Sequence, residues 1–270
     1  GAYRSVFFTY ATDPALRAGA ASGGSVSSLL VHLLHAGEID GAVVLRTEVT
    51  RGKVSPRVIL AQTQEAVVSA QGSKYLAVHY THDVLPLIKN FEGRVALVAL
   101  PCDARIISGY RARNPEIQRK IALIITLFCG HNSEPALTEG VLRTVTRGRA
   151  DLADVQYRFG TWRGQLRVGQ ADGTETTRPF STVSDYQNLY FFAQRKCHHC
   201  IDNTGYFGDI SAGDIWSNRM KENPIKHTAL ITRTERGEAA ARSALAANVL
   251  TGTEEPIVEV LDGQARTLPF

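Results

Sequence analysis

Apolar residues fall in short unbroken runs over the first half of the chain and in alternation after residue 150. Ala42 to Leu45, Val95 to Leu100 and Ile121 to Phe128 are short, rich in β-branched residues and bounded by polar turns, a pattern that predicts buried strands. Val54 to Gln62 predicts another. Between these runs stand helix signals. Asp13-Pro14 marks a turn or helix start, and Leu29 to Leu34 is an apolar helix preceded by small residues. Thr63 is a plausible cap for a helix through Val68, and residues 81–89 predict a short helix before the strand at 94–100. Strand and helix alternate in this way to residue 146, which argues for an α/β layer.

Beyond residue 150 the period changes. Segments 154–160, 165–168 and 174–180 alternate, with Asp172-Gly173 as a hairpin signal between the last two. Residues 181–194 predict a helix. A strand at 227–233, a helix at 234–247 and a strand at 256–261 are expected to close the chain. The fold class is therefore α/β: a mixed, largely parallel sheet with helices on both faces plus an antiparallel hairpin insertion. Residues 1–150 form one part and 151–270 the other, within two units or a single domain.

Composition narrows the function classes. An apolar fraction of 44% suits a globular core. A net charge of +4 without a long basic block favours small anionic ligands over nucleic acid. No run of eighteen apolar residues exists to span a membrane, and the start shows no secretory signal. Gly1 is not a natural initiator and the only methionine is Met220, so a trimmed or tagged start, with an N-terminal segment missing, stays open. Four cysteines in 270 residues are too few for a secreted disulfide scaffold, so a reducing cytoplasm is the expected compartment.

Those cysteines are the candidate chemistry. Cys197 and Cys200 form a C-x-x-C turn, which sets two thiols on one side of a loop. Cys102 and Cys129 each follow an apolar run, so two adjacent strands would deliver both thiols at strand ends. Three readings stand together: a 4Fe-4S cluster, which accepts scattered thiolates; zinc, which usually takes two local pairs; or two buried thiols beside a redox C-x-x-C. Ser22-Gly23-Gly24-Ser25-Val26-Ser27 opens a helix whose bare N-terminus suits a phosphate, or is a glycine loop packed close to a neighbour. Gly72-Ser73-Lys74-Tyr75 could hold an anion and cover a ring, or is a helix stop with a solvated lysine.

Taken in order, Ser22-Gly23-Gly24, Gly72 to Tyr75, Pro101-Cys102, Phe128-Cys129-Gly130, Tyr157-Arg158, Cys197-x-x-Cys200-x-Asp202 and Asp209-Ile210-Ser211-x-Gly213-Asp214-x-Trp216 resemble the family of beta subunits of coenzyme F420-reducing hydrogenases and dehydrogenases. That family also includes chlorophyll-modifying reductases. The resemblance runs over about residues 4–235. It implies an iron–sulfur flavoprotein oxidoreductase that passes electrons between a hydride carrier (coenzyme F420), FAD and a 4Fe-4S cluster. It implies cluster ligands at Cys102, Cys129, Cys197 and Cys200, and FAD phosphates at Ser22 to Ser27. Gly72, Ser73, Lys74, Tyr75, Tyr157 and Arg158 become further cofactor-binding positions, and residues 1–150 the flavin-binding part. Lys74, Arg158, Arg163, Arg195 and Lys196 are candidate anchors for the phosphate and glutamate tail of F420. No protein nucleophile or acid–base set stands out.

The implied partners are a small hydride carrier and a redox partner protein or ferredoxin, in a chain that could oligomerise. Two alternatives are kept: a ferredoxin-linked reductase of a conjugated organic substrate, and a zinc-stabilised binding or assembly module. The chain departs from the family pattern in two places. Many relatives have Thr-Pro-Cys-Gln where this chain has Leu100-Pro101-Cys102-Asp103, and an ionised Asp103 beside a cluster would lower its potential. Many also carry a cysteine-rich ferredoxin-like segment ahead of this region, which these residues do not include.

Overall fold

The computed structural model describes residues 3–149, 151–160, 164–220 and 223–264. In chain order the elements are β1 (Val6–Ala11), α1 (Pro14–Ala18), α2 (Ser25–His35), β2 (Gly41–Thr50), β3 (Lys53–Ala61), α3 (Gln64–Ser69), α4 (Tyr80–Asn90), β4 (Val95–Ala99), α5 (Pro101–Arg113), α6 (Pro115–Lys120), β5 (Ile121–Leu127) and α7 (Pro135–Val145). There follow β6 (Leu152–Phe159), β7 (Gln165–Gln170), β8 (Glu175–Pro179), α8 (Ser181–Asn188), β9 (Ile210–Asp214), β10 (Thr228–Thr232), α9 (Glu235–Ala246), β11 (Leu250–Glu254) and α10 (Val258–Leu261).

Eight strands form one sheet in the order β11-β1-β10-β9-β5-β4-β2-β3. The centre, β9-β5-β4-β2, is parallel, and the flanks are antiparallel. The parallel strands β2, β4 and β5 carry the unbroken apolar runs, as suits strands covered on both faces, and β9 joins them with small residues. On β4 the two faces diverge: Ala96 packs with α2 and α9 residues such as Leu30 and Ala241, whereas Val95, Leu97 and Ala99 pack with Val84, Ile107 and Ile117. Strands β9, β10 and β11, all from beyond residue 150, complete the large sheet.

The hairpin segments form a separate antiparallel sheet, β6-β7-β8, covered by α7 and α8 through Leu137, Val141 and Val183. Among the described residues, no helix is long and apolar enough to cross a membrane.

Two expected elements come out differently. The helix predicted over 181–194 stops at Asn188, and Tyr190 takes a left-handed φ of 61°. From there the chain bonds to the segment after β5 instead: Glu134 N–H donates to Phe192 O, and Gln194 N–H to Asn132 O. The strand predicted at 256–261 lies earlier, at β11, where Leu250 to Glu254 complete the edge beside β1. Its apolar residues instead make the single turn α10, which buries Val260 against Val6, Phe8 and Ile231.

Candidate functional site

The parallel strands and β1 all end on one side of the sheet, and a crevice opens outside those carboxyl ends, where open α/β sheets hold their ligands. Its volume is about 1020 Å³. Its wall includes Ser22, Gly24 to Ser27, Gly72 to Tyr75, Asp103, Cys129, Arg158, Phe180, Asp214 and Trp216.

Helix α2 enters the crevice by its N-terminus. Gly24 is its N-cap, with φ 82°, and among the described residues no side chain caps the helix. The serines of the loop point into the protein: Ser22 donates to His227 O at 2.8 Å, and Thr9 donates to Ser25 Oγ at 2.9 Å. Gly23 lies against the sheet, where a Cβ would come within 2.7 Å of Thr9 O and 2.9 Å of Lys226 O. Close packing therefore accounts for Gly23 and backbone conformation for Gly24. The amides of the first turn are what the helix offers the crevice. Their partial positive charge and the cavity size fit the phosphates of a dinucleotide such as FAD.

The second anionic candidate is differently placed. Lys74 Nζ donates to the carbonyls of Ala70, Gln71 and Gly72 at the end of α3, the last two at 2.9 Å. It is a helix-ending lysine turned inward rather than a solvated one, and burial lowers it to about 7. Tyr75 is half-buried, and its phenol is pushed up chiefly by loss of water around it. Its ring meets Tyr157 edge-on at 5.4 Å and Phe180 at 5.5 Å. Tyr157 lies behind this wall, with its hydroxyl 2.8 Å from that of Thr138.

Arg158 crosses from the small sheet to Asp214 at the end of β9. Burial opposes its charge, but Asp214 and Tyr75 outweigh burial and raise its pKa. Its guanidinium stands over the rings of Phe180 at 5.5 Å and Trp216 at 5.8 Å. Nη1 serves Asp214, while Nε and Nη2 are buried and find no hydrogen-bond partner among the described residues. Buried donors in that state suit an acceptor on a ligand. Arg195 and Lys196 are exposed and off the cavity wall, and Arg163 lies outside the described residues.

The cysteines gather at the same end of the sheet. Cys102 is in the first turn of α5, directly after β4, and Cys129 follows β5, the neighbouring strand. The chain after β5 bonds to the C-x-x-C loop: Cys129 N–H donates to Asn203 O at 2.9 Å, and Asn132 N–H to Cys197 Sγ at 3.4 Å. Cys197 lies in a short 3-10 turn, Arg195–His199. Asp202 shapes the loop that follows, accepting from the N–H groups of Thr204, Gly205 and Tyr206 at 3.2, 2.6 and 3.1 Å. Burial pushes the Cys129 thiol up to about 12, and Cys102, Cys197 and Cys200 add to the shift. The four thiols thus share one neighbourhood. Among the described residues no three His, Cys, Asp or Glu side chains stand as ligands of one ion. Four cysteines are the ligand number of a 4Fe-4S cluster, in which each thiolate serves its own iron.

A family model for the C terminus of the coenzyme F420 hydrogenase/dehydrogenase beta subunit matches residues 92–257. Its companion, for the N-terminal part of the same beta subunit, matches residues 6–85. The chain belongs to this family of beta subunits.

Three of its relatives are subunits of F420-linked enzymes. The F subunit of the F(420)H(2) dehydrogenase of Methanosarcina mazei is 28% identical over 82% of this chain and 58% of that protein. The beta subunit of the coenzyme F420 hydrogenase of Methanothermobacter thermautotrophicus is 26% identical over 97% of this chain and 88% of its own length. The beta subunit of F420-dependent formate dehydrogenase 1 of Methanococcus maripaludis is 24% identical over 88% and 59%. The chain thus spans less than two thirds of the first and third of these. A chain of the F420-reducing [NiFe] hydrogenase complex from Methanosarcina barkeri has the same fold, with a TM-score of 0.74 at 21% identity over 97% of this chain and 85% of that one.

Four residues named on this wall are not among the candidate cofactor-binding positions: Asp103, Phe180, Asp214 and Trp216. Asp214 and Trp216 stood inside a motif whose first member, Asp209, proves structural. The Asp209 carboxylate is buried, accepts from Ile124 N–H at 2.8 Å and Thr234 at 2.8 Å, and pairs with Arg236 at 3.2 Å. The pairing of β9 with β5 sets Asp214 level with Cys129, a relation that no spacing in the sequence shows.

Proposed function

We propose that this member of the beta-subunit group is an iron–sulfur flavoprotein oxidoreductase working with the deazaflavin coenzyme F420. The observation that carries the reading is one shared wall: Cys129 lines the same crevice as the bare N-terminus of α2. A flavin site and a thiol cluster site that abut in this way suit electron passage between them. When bound, FAD exchanges a hydride with the deazaflavin, and a 4Fe-4S cluster passes electrons singly to an acceptor protein.

The chain's own part is binding, orientation and exclusion of water. The amides of Ser25, Val26 and Ser27 hold the phosphates. Arg158 offers Nε–H and Nη2–H to an acceptor on the ligand, held in place by Asp214. Tyr75, Phe180 and Trp216 wall the crevice with rings. Cys102, Cys129, Cys197 and Cys200 hold the cluster.

Anaerobic purification tests this directly. The protein should be brown, contain about four irons per chain, and release FAD on denaturation. Mixing with reduced deazaflavin should restore the coenzyme's visible absorbance as the protein is reduced. A colourless, flavin-free preparation carrying zinc would overturn the reading.

A further inference from the structure

We infer that the face around Cys200 docks an acidic, one-electron carrier protein. This rests on the redox reading above and adds to it the place and chemistry of the partner. Cys200 is exposed, and its neighbour Ile201 is 95% exposed. Ile106, at 55%, and Arg105 lie four and three residues after Cys102, so they share its face of α5. The Arg105 guanidinium stands 5.7 Å from the Phe207 ring, which is itself 45% exposed. This joins the α5 residues to the loop after the C-x-x-C.

Apolar side chains so exposed beside a thiol centre are expensive to leave in water and mark an interaction surface. Their rim is basic. Arg105, Arg195 and Lys196 are exposed, with His198 and His199 beside them. Between residues 195 and 207 the only acidic side chain is Asp202, and its carboxylate already serves three backbone N–H groups. Asp103 faces Lys196, so one carboxylate stands against the three cations Arg105, Arg195 and Lys196, and an apolar centre with a net basic rim complements an acidic partner. A second copy of this chain fits poorly, because a two-fold contact presses the same cations together. Single-stranded nucleic acid would also meet cations and rings. The position of the patch over the cysteines, and the mild overall charge, favour a protein electron carrier.

The test measures binding of an acidic bacterial ferredoxin to the anaerobically prepared protein by calorimetry. Kd should weaken by about tenfold or more as NaCl rises from about 25 to about 250 mM, the range over which screening closes in on contact distances. Arg105→Glu and Ile106→Asp should each weaken it by about tenfold or more. Arg119→Glu, exposed on α6 just before β5 and so at the other end of that strand from Cys129, should leave it unchanged. Iron and FAD content, measured on the same samples, report the fold of each variant and decide the redox reading separately. Three results would overturn the docking face: no ferredoxin binding by an iron-loaded protein, binding indifferent to salt and to both variants, or an oligonucleotide that competes at equal affinity.

Discussion

Arg158 on the small sheet and Asp214 at the end of β9 form an ion pair that ties the two sheets together, with side chains only 5% and 15% exposed. Removing one partner strands the other's charge inside the crevice wall. Arg158→Met should therefore cost about 3 to 5 kcal/mol of unfolding free energy, read from urea titration. Arg158→Met combined with Asp214→Leu should recover much of that loss, because no charge is left unpaired. Additive losses in the double variant would mean that the pair contributes nothing as a pair.

The cysteine assignment predicts a common phenotype. Replacing any one of Cys102, Cys129, Cys197 or Cys200 with Ala should strip most of the iron and acid-labile sulfide from anaerobically prepared protein. Cys102 is the sharpest case, since it is the ligand furthest from the C-x-x-C in sequence. Full iron in Cys102→Ala would remove it from the ligand set.

Ser27→Asp separates anion binding from folding. An acidic residue in the first turn of α2 favours the helix by about 0.3 to 1 kcal/mol through its dipole. The same charge stands on the crevice wall, where a phosphate would be repelled. The variant should be at least as stable as the parent and poor in FAD. Normal FAD content would place the phosphates away from α2.

Lys74 predicts a pH dependence of stability. Unfolded, it stays charged to about pH 10.4. Folded, burial lowers it to about 7. Between these values the unfolded chain holds the extra proton, so stability should rise as pH rises through that window, and the penalty is full below it. Urea unfolding across this range should show the rise, and Lys74→Met should flatten it. Lys226, lowered to about 8 mainly by burial, gives a smaller rise of the same sign that survives in the variant.

The chain's periodicity by itself determined the elements that depend on local preference. The unbroken runs at 95–100 and 121–128 are adjacent buried strands, as their lack of a polar face requires. Thr63 caps α3 by accepting from Ala66 N–H, and Asp172-Gly173 turns the β7-β8 hairpin. The candidate residues at 22–27, 72–75 and 158 line one crevice, apart from Gly23, which packs against β1 and β10 instead. What only the tertiary structure decided depends on partners far away in sequence. The helix after Ser181 ends at Asn188 because residues 192–194 bond to residues 132–134, which no local signal encodes. The last strand lies at 250–254 because β1 offers an edge there, and the apolar residues beyond it find their core as a helical turn. Arg158 meets Asp214 because a second sheet folds over the ends of the first. A sequence states that an arginine is present; it takes a fold to give that arginine a buried carboxylate and to turn its remaining donors toward a crevice.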